Sequence, residues 1–176
     1  PPTPDDTWDI PMDQGAGGYF ISTQFAGSTD PSVILSDFAG FYDRIIAYDA
    51  ASGWEVWSAS KPAHMQTLTN LDNKNGFWLH VTNDDDQVLT VTGSPFVTGV
   101  TVPLGIGWNM VGFPAEDVDD GTVMSAAGLP AGVTEVRVFD ASAPFLLRTA
   151  YLDDDTFDLG AGYWVYSTDG VDWVAP

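Results

Sequence analysis

Gly162-Tyr163-Trp164-Val165-Tyr166-Ser167-Thr168-Asp169 and Gly76-Phe77-Trp78-Leu79-His80-Val81-Thr82-Asn83 follow one pattern. Each runs Gly, aromatic, Trp, aliphatic, aromatic ring, a small or aliphatic residue, Thr, then Asp or Asn. An aromatic and aliphatic run opened by Gly and closed by turn formers reads as a β-strand. Its recurrence implies one unit written twice.

The match extends outward from this strand. Arg44-Ile45-Ile46-Ala47-Tyr48-Asp49-Ala50-Ala51-Ser52-Gly53-Trp54 aligns without a gap on Glu135-Val136-Arg137-Val138-Phe139-Asp140-Ala141-Ser142-Ala143-Pro144-Phe145. Each is a strand, an Asp-led turn and the start of a return strand, hence a hairpin. The return strands are Trp54 to Ser58 and Phe145 to Thr149, which sets Trp57 against Arg148. Upstream, Trp8-Asp9-Ile10-Pro11-Met12 answers Val100-Thr101-Val102-Pro103-Leu104. The Pro makes each of these an edge strand. A Gly-rich turn and another strand follow in both, Tyr19 to Thr23 and Trp108 to Phe113. Asp30-Pro31 begins a short helix with an N-cap and Pro at the first helical position. The stretch from Asp120 to Gly128 is its counterpart. Leu68 to Leu71 and Phe157 to Leu159 are read as further strands. The units close on Val88 to Val91 and Val171 to Val174.

These elements predict an all-β fold. It consists of two tandem sandwich- or barrel-like repeats of about seven short strands, each with one short helix. The repeats are assigned to residues 7–93 and 99–176, joined by a connector at 94–98. Residues 1–6, rich in Pro and Asp, read as the end of a stiff interdomain linker, so the chain is expected to be a piece of a larger protein.

Composition narrows the function classes. The 176 residues carry 25 acidic side chains against 5 Lys and Arg, a net charge of −20. Such a surface repels nucleic acid and anionic membrane. No apolar run approaches the ~20 residues of a membrane helix, so neither nucleic acid nor membrane insertion is expected. Cysteine is absent, which removes disulfides, thiolate metal sites and Cys nucleophiles together. The acidic, Thr- and Ser-rich, Lys-poor composition suits an extracellular or cell-surface protein of a salty habitat.

The second unit also resembles a known kind of module. Gly107-Trp108-Asn109-Met110-Val111-Gly112-Phe113-Pro114, Val138-Phe139-Asp140 and Gly162-Tyr163-Trp164-Val165 are similar to landmarks of tandem repeat modules in secreted archaeal and bacterial surface proteins. The first unit shares the hairpin and the Gly-Phe-Trp-Leu strand but has Gly18-Tyr19-Phe20-Ile21-Ser22-Thr23 at the opening. The resemblance implies a non-catalytic extracellular module and carries no substrate or binding residues with it.

Candidate chemistry is sparse. Asp84-Asp85-Asp86 and Asp153-Asp154-Asp155 are the candidate metal ligands, with calcium the cation they suit, although runs of Asp in turns are ordinarily solvated. No cofactor is otherwise expected. Asp117-Val118-Asp119-Asp120-Gly121 departs from a calcium-loop pattern at its Gly and lacks the closing Glu. His64 and His80 belong to no motif, and no Gly-x-Ser-x-Gly elbow is present. The aromatic residues are the better lead, because aromatic faces stack on sugar rings. Trp57, Trp54, Tyr42 and Tyr48 of the first hairpin are the candidate ligand contacts. Trp54 and Trp57 lie three apart and so face opposite sides of a strand. Trp57 is expected to be the exposed one, since its partner in the second unit is Arg148. Trp78 and Trp164 are expected in the cores. The function this supports is a non-catalytic binding or attachment module with polysaccharide or cell-surface glycan as partner. The alternatives are a structural spacer or surface-layer element touching neighbouring domains of the same protein, and an acid-pair glycosidase.

Overall fold

The computed structural model describes residues 6–12, 16–23, 30–93, 99–112, 128–139, 147–150 and 160–174. The described chain is all-β, with twelve strands. In the first half these are β1 (Asp6–Met12), β2 (Gly17–Ser22), β3 (Tyr42–Asp49), β4 (Gly53–Ser58), β5 (Gly76–Val81) and β6 (Gln87–Gly93). In the second half they are β7 (Thr101–Leu104), β8 (Gly107–Gly112), β9 (Val133–Phe139), β10 (Leu147–Ala150), β11 (Gly162–Ser167) and β12 (Val171–Val174).

All pairings are antiparallel. The first half contains a four-stranded sheet ordered β2-β5-β3-β4 and a β1-β6 ribbon; the second contains β8-β11-β9-β10 and β12-β7. The strands quoted at the outset are β5 and β11, each inside its sheet. Their ladders correspond residue by residue. Ile46 lies opposite Trp78 as Arg137 lies opposite Trp164, and both β3 and β9 carry a register shift one turn of the ladder beyond.

Period-two alternation buries one face of β5, β7 and β11. Ile45 and Ala47 of β3 and Phe77, Leu79 and Val81 of β5 form a core with Ile10 and Met12 of β1 and Leu89 and Val91 of β6. In the second half, Val136, Tyr163 and Val165 pack with Val102, Leu104 and Trp173. Each half is thus a ribbon laid over a four-stranded sheet around its own core. Each fully buried large apolar side chain contributes about 1.5–3 kcal/mol.

The short helix α1 (Pro31–Ile34) begins where expected. The Asp30 carboxylate accepts from the Ser32 backbone N–H at 2.8 Å, and Pro31 occupies the first turn. Leu35 and Phe38 beyond it are buried in the first core. No helix among the described residues is long and apolar enough to cross a membrane. The second expected helix lies outside the described residues.

Leu68 to Leu71 is not a ladder strand. Leu68 and Leu71 are both buried although three residues apart, a spacing that a flat strand places on opposite faces. The segment bends instead over the edge of β4. The Thr67 hydroxyl accepts from the Val56 N–H, and the Thr67 and Leu68 N–H groups both donate to the Val56 carbonyl.

Candidate functional site

The halves meet along reciprocal contacts. Ser22 N–H at the end of β2 donates to the Gly160 carbonyl at 2.8 Å, and Gly112 N–H at the end of β8 donates to the Lys74 carbonyl at 2.9 Å. Isolated bridges join Ile21 to Ala161 and Val111 to Asn75. Each edge strand therefore touches the residues leading into the other half's Gly-aromatic-Trp strand. This is the exchange of like contacts seen in isologous interfaces.

That junction explains the glycine that opens each of these strands. A Cβ on Gly76 would lie 2.5 Å from the Val111 carbonyl oxygen. On Gly162 it would lie 2.5 Å from the Phe20 ring and 3.0 Å from the Ile21 carbonyl oxygen. The backbone of the opposite half occupies the space a side chain would need.

Trp78 and Trp164 point toward the junction. They are half-buried and belong to neither core, which corrects the expectation that they fill the cores. Each reaches an aromatic residue of the opposite hairpin: Trp78 lies 5.5 Å from Phe139, and Trp164 lies 5.5 Å from Tyr48. Tyr48 and Phe139 are themselves matched positions of β3 and β9.

Around Trp164 this contact widens into a pocket. Tyr48, Trp54, Trp108, Arg137 and Trp164 line a cavity of about 340 Å³, within the range of small-molecule sites. The five residues come from β3, β4, β8, β9 and β11, so the pocket requires both halves. Trp54 is 59% exposed. Its ring stands 5.2 Å from Tyr48 at 65° and 5.7 Å from Trp164 at 70°. Trp108 meets Trp164 at 6.3 Å and 89°. Adjoining rings are steeply inclined to one another, with Tyr48 at 48° to Trp164, making a box rather than a flat strip.

Arg137 supplies the polar wall. Its guanidinium carbon sits 5.7 Å from the Trp108 ring centroid, and its Nε and Nη2 donate to one Glu135 oxygen at 2.8 and 2.6 Å. The pair is close to neutral and presents N–H donors beside a carboxylate acceptor. On the other side of Tyr48 lies a smaller cavity of about 210 Å³, bordered by Asp49, Asp72, Lys74 and Asn75.

The hairpin turn that places Tyr48 and Trp54 is tied by Asp49. Its Oδ1 accepts from Ser52 N–H at 2.8 Å, Ala51 N–H at 2.9 Å and the Ser52 hydroxyl at 3.0 Å. The Ser52 N–H, aided by the other two donors against a modest desolvation penalty, holds the Asp49 carboxyl below its ordinary value.

Of the four expected ligand contacts, Tyr48 and Trp54 line the pocket and Tyr42 and Trp57 do not. Tyr42 is buried in the first core, where burial and then the charge of Asp30 push its phenol pKa up. Trp57 packs against that core and lies 5.5 Å from Tyr42. The expected exposure of Trp54 and Trp57 is therefore reversed. Trp57 lies on the core face because it pairs with the buried Ile45, and the second hairpin also pairs two residues farther along. Ile45 lies opposite Trp57, but its match Val136 lies opposite Ala150. Trp108, Arg137 and Trp164 complete the lining. Trp108 and Trp164 were visible as aromatics, but only the docking of the halves brings them to Tyr48 and Trp54.

Asp84, Asp85 and Asp86 are exposed in the β5–β6 turn. Among the described residues no three His, Asp or Glu side chains are grouped to hold an ion. Asp153, Asp154 and Asp155, and the stretch from Asp117 to Gly121, lie outside the described residues. His64 is exposed in a short 3-10 turn. His80 Nδ1 lies 2.7 Å from Asp43, which also receives Arg44 Nε at 3.2 Å. Desolvation pushes the Asp43 carboxyl up, but the hydrogen bonds and charges of Arg44 and His80 together outweigh it and leave it below its ordinary value.

Comparison with known protein families, curated protein sequences and solved structures returns no match.

Proposed function

We propose that this chain is a non-catalytic binding module of a secreted or cell-surface protein, built from two tandem copies of one β unit, with glycan as its ligand. The observation that carries this reading is the pocket between the halves, where Tyr48, Trp54, Trp108 and Trp164 surround an open cavity beside Arg137. A sugar ring has apolar C–H faces that gain by covering aromatic rings. Its hydroxyls need polar partners, and the Arg137 guanidinium on the wall offers N–H donors. A catalytic use fits less well. Acid-pair glycoside hydrolysis needs two carboxyls facing across the bond, and the five lining residues include none. The resemblance to repeat modules of secreted surface proteins and the net charge of −20 support the extracellular setting.

A structural spacer is the second reading. It is favoured by Val88 and Val174, 55% and 57% exposed on β6 and β12, where neighbouring domains of the same protein would cover them. Retention on a panel of insoluble polysaccharides, with tryptophan fluorescence titration of soluble ones, decides between the two. Retention of the unaltered chain and its loss in Trp164→Ala support the glycan reading. No retention on any polysaccharide leaves the spacer.

A further inference from the structure

The shape and charge of the pocket narrow the ligand further, resting on the glycan reading above. We infer that the site takes the terminal residue of a neutral glycan, not the interior of a chain and not an acidic sugar.

The ring geometry is the first ground. A polysaccharide lying across a binding face presents successive sugar faces in similar orientations, so it needs aromatic rings that share a plane. Here neighbouring rings turn by 65°, 70° and 89° along the path Tyr48, Trp54, Trp164, Trp108. One sugar ring can lie flat on one of these walls with its edges toward the others. Tyr48 and Trp164 also meet at 48°, so a second ring in the same chain finds no parallel platform on an adjoining wall. A smaller polar cavity that shares Tyr48, with Asp49, Asp72 and Lys74, offers partners for the one hydroxyl that a further linkage would consume.

The charge arrangement is the second ground. Five Lys and Arg residues stand against 25 acids in this chain, and one of the five lines the pocket. A quaternary ammonium ligand would suit a bare aromatic box, but Arg137 on the wall opposes a cation. An anionic sugar meets the reverse difficulty. Glu135 already neutralises Arg137, and the field of the whole protein repels a negative polymer. A neutral, hydroxyl-rich ring has no charge conflict with either.

The test uses the whole chain. The neutral polysaccharide retained best in the panel is supplied as its own oligosaccharides, from mono- to hexasaccharide, and titrated by tryptophan fluorescence and calorimetry. Polygalacturonate oligosaccharides and choline are parallel probes. The expected result is an affinity that changes by no more than about threefold from disaccharide to hexasaccharide. Capacity on the intact polymer should rise when limited hydrolysis creates new ends. Trp54→Ala, which removes a largely exposed side chain and spares the fold, should weaken binding of every neutral probe alike. Affinity that climbs tenfold or more with length would overturn chain-end recognition while leaving the glycan reading intact. Tighter binding of the acidic oligosaccharides would overturn neutrality alone. Binding of choline with no sugar bound, or binding of no probe at all, would overturn the inference and the glycan reading together.

Discussion

Trp164 and Trp78 occupy corresponding places in two four-stranded sheets, yet their surroundings differ. Around Trp164 stand Trp108, Arg137, Tyr48 and the exposed Trp54. Around Trp78 the cavity is about 270 Å³ and is lined by Gly18, Arg44, Ile46 and His80. At the ladder position of Trp108, opposite Tyr166, the first half has Gly18, opposite His80. At the position of Arg137 it has Ile46. Phe20 stacks on Trp78 at 4.9 Å and 11°, whereas Met110 stands opposite Trp164. One backbone arrangement thus frames an aromatic box on one side of the junction and a smaller mixed pocket on the other. The difference rests on a few side chains and not on the backbone that the two sheets have in common.

The largest effect expected from breaking this arrangement comes at the junction itself. Gly76→Ala places a methyl group 2.5 Å from the Val111 carbonyl oxygen. Backbone cannot yield as a side-chain tip can, so urea unfolding should show a loss of about 3 kcal/mol. Gly18→Ala is the control, since its methyl would rest at an ordinary 3.4 Å from Trp78. Equal stability of the two variants would refute the close packing of the halves.

Tryptophan substitutions should separate stability from binding. Trp57→Ala removes a ring packed on the first core and should cost about 2 kcal/mol of stability without altering polysaccharide retention. Trp164→Ala should weaken glycan binding by about 1–2 kcal/mol, roughly five- to thirtyfold, while Trp78→Ala leaves it unchanged. If Trp78→Ala and Trp164→Ala weaken binding equally, the proposed functional difference between the two pockets is wrong.

Salt should act on both halves alike. With a net charge of −20, raising sodium chloride from about 10 mM to about 0.5 M shortens the screening length severalfold. The melting temperature should climb by a few degrees. Calcium at matched ionic strength should add nothing further. A calcium-specific rise would show that an Asp run in one half, Asp84 to Asp86 or Asp153 to Asp155, gathers an ion.

The smallest effect is expected at the turn behind the pocket. Asp49→Ala removes three exposed hydrogen bonds and should cost less than about 1 kcal/mol. The Asp49 pKa is lowered by folding, so its contribution is fully present above the ordinary value of 3.8. It fades as pH falls through the lower folded value. Melting curves of the parent and Asp49→Ala should therefore differ at pH 7 and converge toward pH 2. A difference that persists in acid would show that the carboxylate's charge is not what ties the turn.

Much of the fold was legible because strands and hairpins are local. Ile45-Ile46-Ala47-Tyr48 followed by Asp49 and Gly53 announces a strand and an Asp-tied turn within a dozen residues. Asp30-Pro31 announces a helix start in two. The reading faltered where register was extended past a turn. The second hairpin pairs two residues farther along than its gapless alignment implies, so the residue that answers Trp57 in the ladder is Ala150 and not Arg148. It also faltered at Leu68 to Leu71, where apolar residues supplied a strand's composition without its alternation.

The candidate site was half legible. Tyr48 and Trp54 could be picked out because one hairpin carries both. The chain alone determined an all-β fold of short strands, apolar faces to bury and an acidic surface, since each follows from residue type and a spacing of two. Tertiary structure decided why Gly76 and Gly162 open their strands, and which aromatic rings share a pocket. Residues 48, 54, 108, 137 and 164 become neighbours only when the two sheets dock, and no local periodicity records how one half approaches the other.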